Sequence, residues 1–205
     1  MTETKVYEIG KLMRASINGF VAGCSIEEYQ IPAFGDLVRT AISADLSLFG
    51  VIYDISMQDD GMVKQLASSK DVPDYVVQDN LQNRIIPIEI SILSLGYQQG
   101  EEIRHLLPPR PPYSLNKIYL CTEAEILGFT GEIQFGYLRH FLRNPDLPIG
   151  ELLAVHVEKT QAAHTAAGNT NWREKAIGEI ITMLRDDYPT LMGVLGALSD
   201  TRTAA

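Results

Sequence analysis

Cysteine and long apolar runs are both scarce in this sequence. Its 205 residues include only two cysteines, Cys24 and Cys121, which lie far apart in apolar surroundings and are expected to be buried, reduced thiols. No CxxC zinc pair is possible, and no apolar run reaches the roughly 20 residues that cross a bilayer. The first residues, Met1–Lys5, lack the pattern of a signal peptide. We therefore expect a cytoplasmic protein without a membrane span.

Basic residues are also in the minority. Lysine and arginine number 17 against 26 acidic residues, which gives a formal net charge of -9. The imbalance holds on both sides of Pro145, with 12 basic and 18 acidic residues up to it and 5 and 8 after it. Because neither part offers a concentrated basic surface, binding to nucleic acid is disfavoured.

The sequence contains none of the common catalytic signatures. GxxxxGK[ST], GxGxxG, GxSxG and HExxH are all absent. Of the four histidines, His156 and His164 share a predicted helix but lie about 12 Å apart along it, too far to share a metal. They are expected at the surface or at helix caps, together with His105 and His140. We predict no catalytic residue, no cofactor and no metal, and hence a non-enzymatic protein.

Alternation of apolar and polar residues predicts β-strands through the first half. The pair Asn18-Gly19 lies between two apolar stretches and predicts a tight hairpin whose central residues take positive φ. The stretch Leu46–Met57 is apolar on both faces, with Phe49 and Ile55 on the same one, which predicts a central strand. A half-buried strand with period two follows at Ile85–Leu95. The polar residues between them predict a surface excursion, a helical insertion near 58–84.

Prolines and a helix cap follow this sheet. Leu107–Pro112 holds four prolines and is expected to lie extended at a sheet edge or over a barrel mouth, an SH3-type docking peptide being the alternative. Lys117–Cys121 has strand character, and Thr122 with Glu125 forms a predicted capping box.

The last third changes to helical spacing. Leu147–Ala167 predicts one helix, and Asn171 begins a second that Pro189 ends or bends. The second helix carries an apolar stripe that either packs on the barrel or forms an interface with another subunit. This candidate interface consists of Trp172, Ile177, Ile180, Ile181 and Leu184.

Several short motifs resemble a HAS-barrel domain, the small β-barrel at the front of HerA-type DNA-translocating ATPases and, in related form, of ATP synthase α and β subunits. The resemblance covers about the first two thirds of the chain. It rests on residues 35–38, 50–55, 107–112, 122–127 and 135–138. In those ATPases a P-loop domain follows, whereas here the corresponding residues turn helical and contain no phosphate loop. The resemblance therefore implies ring assembly or partner docking, without ATP hydrolysis.

Together these observations predict a mostly-β fold, a small β-barrel over residues 1–145, with a C-terminal helical appendage over 146–205. The predicted function is a non-catalytic assembly or docking module that binds itself, as a homo-oligomer, or a protein partner such as an ATPase. The alternative is a small-ligand-binding barrel, or an enzyme whose site is assembled from scattered residues. The residues of that alternative site are Glu89, His105, Arg110 and Tyr113.

Overall fold

The computed structural model describes residues 6–25, 32–57, 68, 87–131, 135–144 and 147–201. The insertion predicted near 58–84 lies outside the described residues, apart from Ser68. Seven strands are described in chain order. They are β1 (Glu8–Ala15), β2 (Gly19–Ser25), β3 (Leu37–Ser43), β4 (Leu46–Met57), β5 (Pro87–Gln99), β6 (Glu102–Arg104) and β7 (Lys117–Leu120).

Six of these strands close into a barrel. Their order is β2-β1-β7-β3-β4-β5, every neighbouring pair is antiparallel, and β5 pairs back onto β2. The long strand β5 pairs with β2 over Pro87–Leu93 and with β6 over Tyr97–Gln99. The short β6 therefore lies outside the ring. The predicted barrel, followed by helices, is confirmed.

The barrel interior is filled by apolar side chains. Ile88, Ile90 and Ile92 of β5 all point into it, as the period of two in the sequence predicts. The prediction for Ile55 was wrong. A bulge between Ile52 and Asp54 shifts the register of β4, so Ile55 packs with the interior residues rather than with Phe49. The buried interior residues are Ile9, Leu12, Phe20, Ala22, Val38, Ile42, Leu46, Leu48, Ile52, Ile88, Ile90, Ile92, Tyr97 and Ile118.

The hairpin between β1 and β2 is confirmed, but its conformation differs from the prediction. Neither Asn18 nor Gly19 has a positive φ. Instead, the Ser16 hydroxyl accepts from the Asn18 amide (3.2 Å) and donates to the Gly19 carbonyl (3.2 Å). Glycine is required at position 19 because a β-carbon there would lie 2.6 Å from the Ile92 carbonyl oxygen. Close approach of two strands, rather than turn conformation, selects this residue.

Five α-helices follow the barrel: α1 (Glu123–Thr130), α2 (Arg139–Leu142), α3 (Ile149–Ala166), α4 (Trp172–Met183) and α5 (Tyr188–Asp200). A short 3-10 helix, Gly136–Leu138, leads into α2. The predicted capping box of α1 is confirmed, since the Thr122 side chain accepts from the Glu125 amide and the Glu125 carboxylate accepts from the Thr122 amide. At α4, Asn171 makes no side-chain capping bond.

The prediction that Pro189 ends the helix begun at Asn171 was wrong. That helix stops at Met183, and Pro189 lies in the first turn of α5, where the Asp187 carboxylate accepts from the Thr190 amide (3.2 Å). A proline in the first helical turn loses no intrahelical hydrogen bond, so it starts a helix as readily as it stops one.

A second core joins the barrel to the helices. The outer faces of β4 and β5 contribute Phe49, Val51, Leu93 and Leu95, which pack against buried side chains of the helices. All helical residues of this core follow Leu120, where the last barrel strand ends. They are Phe129, Tyr137, Leu138, Phe141, Leu152, Leu153, Ala154, Val157, Trp172, Ala176, Ile180, Val194 and Leu198.

Candidate functional site

The apolar stripe predicted as an interface lies mostly inside the chain. Trp172 and Ile180 are fully buried, Leu184 is 5% exposed, and Ile177 is partly buried against the same core. Ile181 alone of the five is exposed, at 41%. Four of the five side chains therefore pack within their own chain, where Trp172 contacts His164 of α3 and Thr130 of α1, and the buried members cannot contact another subunit.

The alternative ligand site is not assembled. Glu89 pairs with Arg14 near the start of β5, whereas His105 packs beside Gly96, seven residues further along that strand. At about 3.3 Å per residue, this separates the two side chains by roughly 20 Å. Arg110 and Tyr113 are both exposed in the following loop. The polar residues chosen from the sequence therefore do not form a common ligand site.

The histidines are more deeply placed than expected. His140, His156 and His164 are 5%, 0% and 3% exposed, so the prediction of surface or cap positions was wrong for these three. His164 stacks on Trp172 with ring centres 4.9 Å apart and shares a hydrogen bond with the Thr130 hydroxyl (2.9 Å). The Trp172 indole donates to the Thr130 carbonyl (2.9 Å). Polar groups thus bond to each other between α1, α3 and α4.

His156, on α3, lies in a separate group of buried rings together with Tyr137. His156 bonds through Nε2 to the Tyr137 hydroxyl at 3.1 Å, and its Nδ1 has no partner among the described residues. Burial, with a smaller contribution from the Lys159 charge, lowers the pKa of His156 to about 3. Burial raises the pKa of Tyr137. Both rings are therefore neutral near pH 7, which suits a structural role.

The loop between β6 and β7, residues 105–116, is held at its first end. The His105 carbonyl accepts from the Arg139 guanidinium and from Nε2 of His140 (3.2 Å). His105 Nε2 in turn donates to the Phe129 carbonyl (2.9 Å). Pro108 is buried within the loop, while the neighbouring prolines 109 and 111 are exposed. Fixed φ angles and these bonds restrict the loop.

The other end of the loop is tied to two strands. The Leu115 amide donates to the Leu12 carbonyl (2.7 Å), and the Leu12 amide donates to the Asn116 carbonyl (2.9 Å). The Asn116 side chain donates to the Ala41 carbonyl (2.7 Å). These bonds hold the loop against β1 and β3 just before β7 begins.

Near this second end, the loop and the adjacent β1 present apolar side chains to solvent. Leu115 is 74% exposed and Tyr113 is 63% exposed. Met13, next to Leu12 on β1, is 50% exposed, with its sulfur over Gly23, 2.8 Å from where a β-carbon would lie. Leu115 also has a φ of 69°, in the left-handed region that leucine disfavours. We call Met13, Tyr113 and Leu115 the loop surface.

A second exposed apolar pair lies on α5. Tyr188 and Met192 are 68% and 48% exposed, and their spacing of four residues places them on one face of the helix. The opposite face, with Val194 and Leu198, is buried in the helical core. We call Tyr188 and Met192 the helix surface.

The two surfaces have opposite electrostatic surroundings. Exposed Lys11 and Arg14 flank Met13, and exposed Arg110 and Lys117 flank the other two loop-surface residues. Glu8 and Glu89 pair with two of these four cations, Lys117 (2.7 Å) and Arg14 (3.3 Å). By contrast, residues 186–200 include three aspartates and no lysine or arginine, and the preceding Arg185 pairs with Asp186 (3.2 Å). The loop surface therefore has a basic margin and the helix surface an acidic one.

The described ranges contain few other groups that could bind a metal or react. No group of three histidine, cysteine, aspartate or glutamate side chains there could hold a metal ion. Both cysteines are free, as predicted, but half-buried rather than buried, and the adjacent carboxylates Glu101-Glu102 and Asp186-Asp187 are exposed. Among the described helices, none is both long and apolar enough to cross a membrane.

Comparison by sequence does not assign the chain to a family. No protein-family model matches the chain, and no curated protein matches its sequence. The observed fold is a six-stranded antiparallel β-barrel followed by helices, and the resemblance to HAS-barrel domains stays a prediction from the sequence.

Proposed function

We propose that this chain is a non-catalytic assembly module whose copies associate head to tail, the loop surface of one copy packing against the helix surface of the next. The barrel interior is filled by side chains, so binding through the outside of the barrel is the simpler use of this fold. The resemblance to the barrels of HerA-type ATPases supports the same role. An ATPase partner, which only that resemblance implies, would occupy the same loop surface.

Leu115 is the observation that carries this proposal. A leucine in the left-handed region is strained, and at 74% exposure its side chain gains little from its own chain. The hydrogen bonds at both ends of the loop nevertheless hold it in place. Exposed apolar side chains on a preorganised loop bind with little loss of entropy, which favours an interface.

Charge indicates a second copy as the occupant. The basic margin of the loop surface complements the acidic margin of the helix surface, and both belong to the same chain. Such complementarity speeds association and selects the orientation of the partners. Because the two surfaces differ, the contact is heterologous, and repeated contacts of this kind close into a ring when the rotation between copies permits.

Light scattering on the purified chain over a range of concentrations tests the proposal. We expect the average mass to exceed that of one chain and to fall as salt is added, because exposed charges are screened. The variant Leu115→Asn should shift the chain towards the monomer. The same variant should melt about 2–4 °C higher than the parent monomer, since asparagine tolerates the left-handed region.

Ile17→Asn provides the matched control, because Ile17 is also exposed (42%) but lies in the β1–β2 turn. This variant should associate like the parent chain. A parent chain that stays monomeric at every concentration contradicts the proposal, as does equal weakening of association by both variants.

A further inference from the structure

The methionines of this chain differ in their exposure to solvent. The sequence holds six, and the structure describes the side chains of three, Met13, Met183 and Met192. Met183 is half-buried against the helical core, whereas Met13 and Met192 are exposed. Each exposed thioether belongs to one of the two surfaces that meet in the proposed assembly, Met13 to the loop surface and Met192 to the helix surface.

Met13 is held at the surface by the local geometry of the barrel. It is the extra residue of a β-bulge, since Leu12 pairs with Ala22 and the residue after Met13 pairs with the next residue of β2. Its sulfur rests over Gly23, and only Met13 atoms lie within 4 Å of the point where a β-carbon of Gly23 would be. The missing side chain at Gly23 therefore leaves room for the thioether on the outside of the barrel.

Met192 is similarly open on one side. Gly196 lies four residues further along α5, on the same face of the helix. No described atom lies within 4 Å of the point where a β-carbon of Gly196 would be. A small oxidant can therefore reach the Met192 sulfur from the side of Gly196.

An exposed thioether reacts with hydroperoxides without an enzyme. The sulfur attacks one peroxide oxygen, and an S–O bond forms as the O–O bond breaks. The other oxygen takes up the proton of the transferred one and leaves as water or an alcohol. The sulfur loses two electrons and the peroxide gains them. The sulfoxide that results is polar, and methionine sulfoxide reductases return it to the apolar thioether.

We propose that Met13 and Met192 make the association of this chain sensitive to hydroperoxides, so that a sulfoxide on either surface releases the monomer. This inference rests on the proposed head-to-tail contact, in which every junction uses one loop surface and one helix surface. A sulfoxide oxygen buried between apolar side chains without a hydrogen-bond donor costs free energy. Since the assembly covers both thioethers, the free chain is the form that reacts.

Limited treatment of the full chain with hydrogen peroxide, followed by separation of monomer from assembly by size exclusion, tests the inference. Excess thiol stops the reaction and reverses disulfide formation at the two cysteines. Peptide mass spectrometry then gives the sulfoxide fraction at each methionine. One sulfoxide should weaken association about tenfold, so sulfoxides at Met13 and Met192 should be several-fold enriched in the monomer. Sulfoxide reductases should return this monomer to the assembly.

Met183 provides the matched control, because it lies outside both surfaces. Peroxide should dissociate Met183→Leu as much as the parent chain. It should dissociate the double variant Met13→Leu/Met192→Leu less than half as much, each protein being compared with its own untreated sample.

The possible failures are distinguishable. A parent chain that is monomeric before treatment contradicts the proposed function and this inference together. A parent chain that associates, but whose Met13 and Met192 sulfoxides are no more frequent in the monomer than in the assembly, overturns this inference alone. Equal enrichment of the Met183 sulfoxide in the monomer also overturns it, because general oxidative damage would then explain the dissociation.

Discussion

A single strained residue locates the candidate interface in this protein. Leu115 occupies a left-handed conformation that costs leucine roughly 1 kcal/mol or more. Its side chain is 74% exposed, so packing within the chain does little to offset this cost. We therefore attribute the strained conformation to a protein interface.

His156 carries the clearest pH dependence. Its pKa is lowered from an ordinary value of 6.5 to about 3 in the folded chain. A neutral ring is thus favoured by folding, so its contribution to stability is complete above pH 6.5 and declines as the pH falls towards 3. Near pH 5 the slope attributable to this residue should approach about 1.4 kcal/mol per pH unit.

Chemical unfolding of the parent chain and of His156→Gln at pH 7 and pH 5 measures this contribution. The free energy of unfolding of the parent should fall more between the two pH values than that of the variant. Equal losses would show that His156 does not titrate as its burial requires.

At the scale of secondary-structure elements, glycine substitutions test how closely neighbouring strands approach each other. Gly19→Ala places a β-carbon 2.6 Å from the Ile92 carbonyl oxygen and should lower the free energy of unfolding by about 2 kcal/mol. Gly178→Ala is the control, because Gly178 lies within α4 with nothing near its missing β-carbon. That variant should gain about 0.5–1 kcal/mol from helix propensity. Equal effects of the two in chemical denaturation would contradict the close β2–β5 pairing.

The helix caps provide a second comparison between elements. Thr122→Ala removes the capping box of α1 and should cost about 1 kcal/mol in the free energy of unfolding. Asn171→Ala should cost little, since the Asn171 side chain makes no capping bond at α4. A larger loss for Asn171→Ala would show that the cap assignments are reversed.

Elements were largely predictable from the sequence, and their ends less so. Period-two alternation identified the isoleucines of β5, and the Thr122–Glu125 spacing identified the start of α1, because both depend on local geometry. The role of Pro189 was missed because Leu184 and Tyr188 continue the helical spacing across a real break. The burial of the histidines was missed because it depends on the packing of helices against the barrel. Local sequence patterns carry no information about that packing.

At the scale of the whole molecule, one core is shared by barrel and helices. Phe49 and Val51 of β4 pack in the same cluster as Trp172, the single tryptophan of the chain. The predicted division at residue 145 therefore separates two parts that depend on each other for burial. The loop surface was also beyond sequence reasoning, because Met13 and Leu115 come from distant segments of the chain that are joined by hydrogen bonds between Leu12 and residues 115–116.

Unfolding should accordingly occur in one transition. Trp172 fluorescence reports on the helices and far-ultraviolet circular dichroism on all secondary structure, and the two denaturation curves should coincide. Separate midpoints would indicate that barrel and helices unfold as independent domains.

Mass measurement on a mixture of two variants tests the head-to-tail account most directly. Leu115→Asn lacks a working loop surface, and the double variant Tyr188→Asn/Met192→Gln lacks a working helix surface, so each alone should be a monomer. Mixed together, they retain one complementary pair of surfaces and should form a one-to-one dimer that grows no further. A helix-surface variant that still associates by itself, or a mixture that stays monomeric while the parent chain associates, would contradict the account.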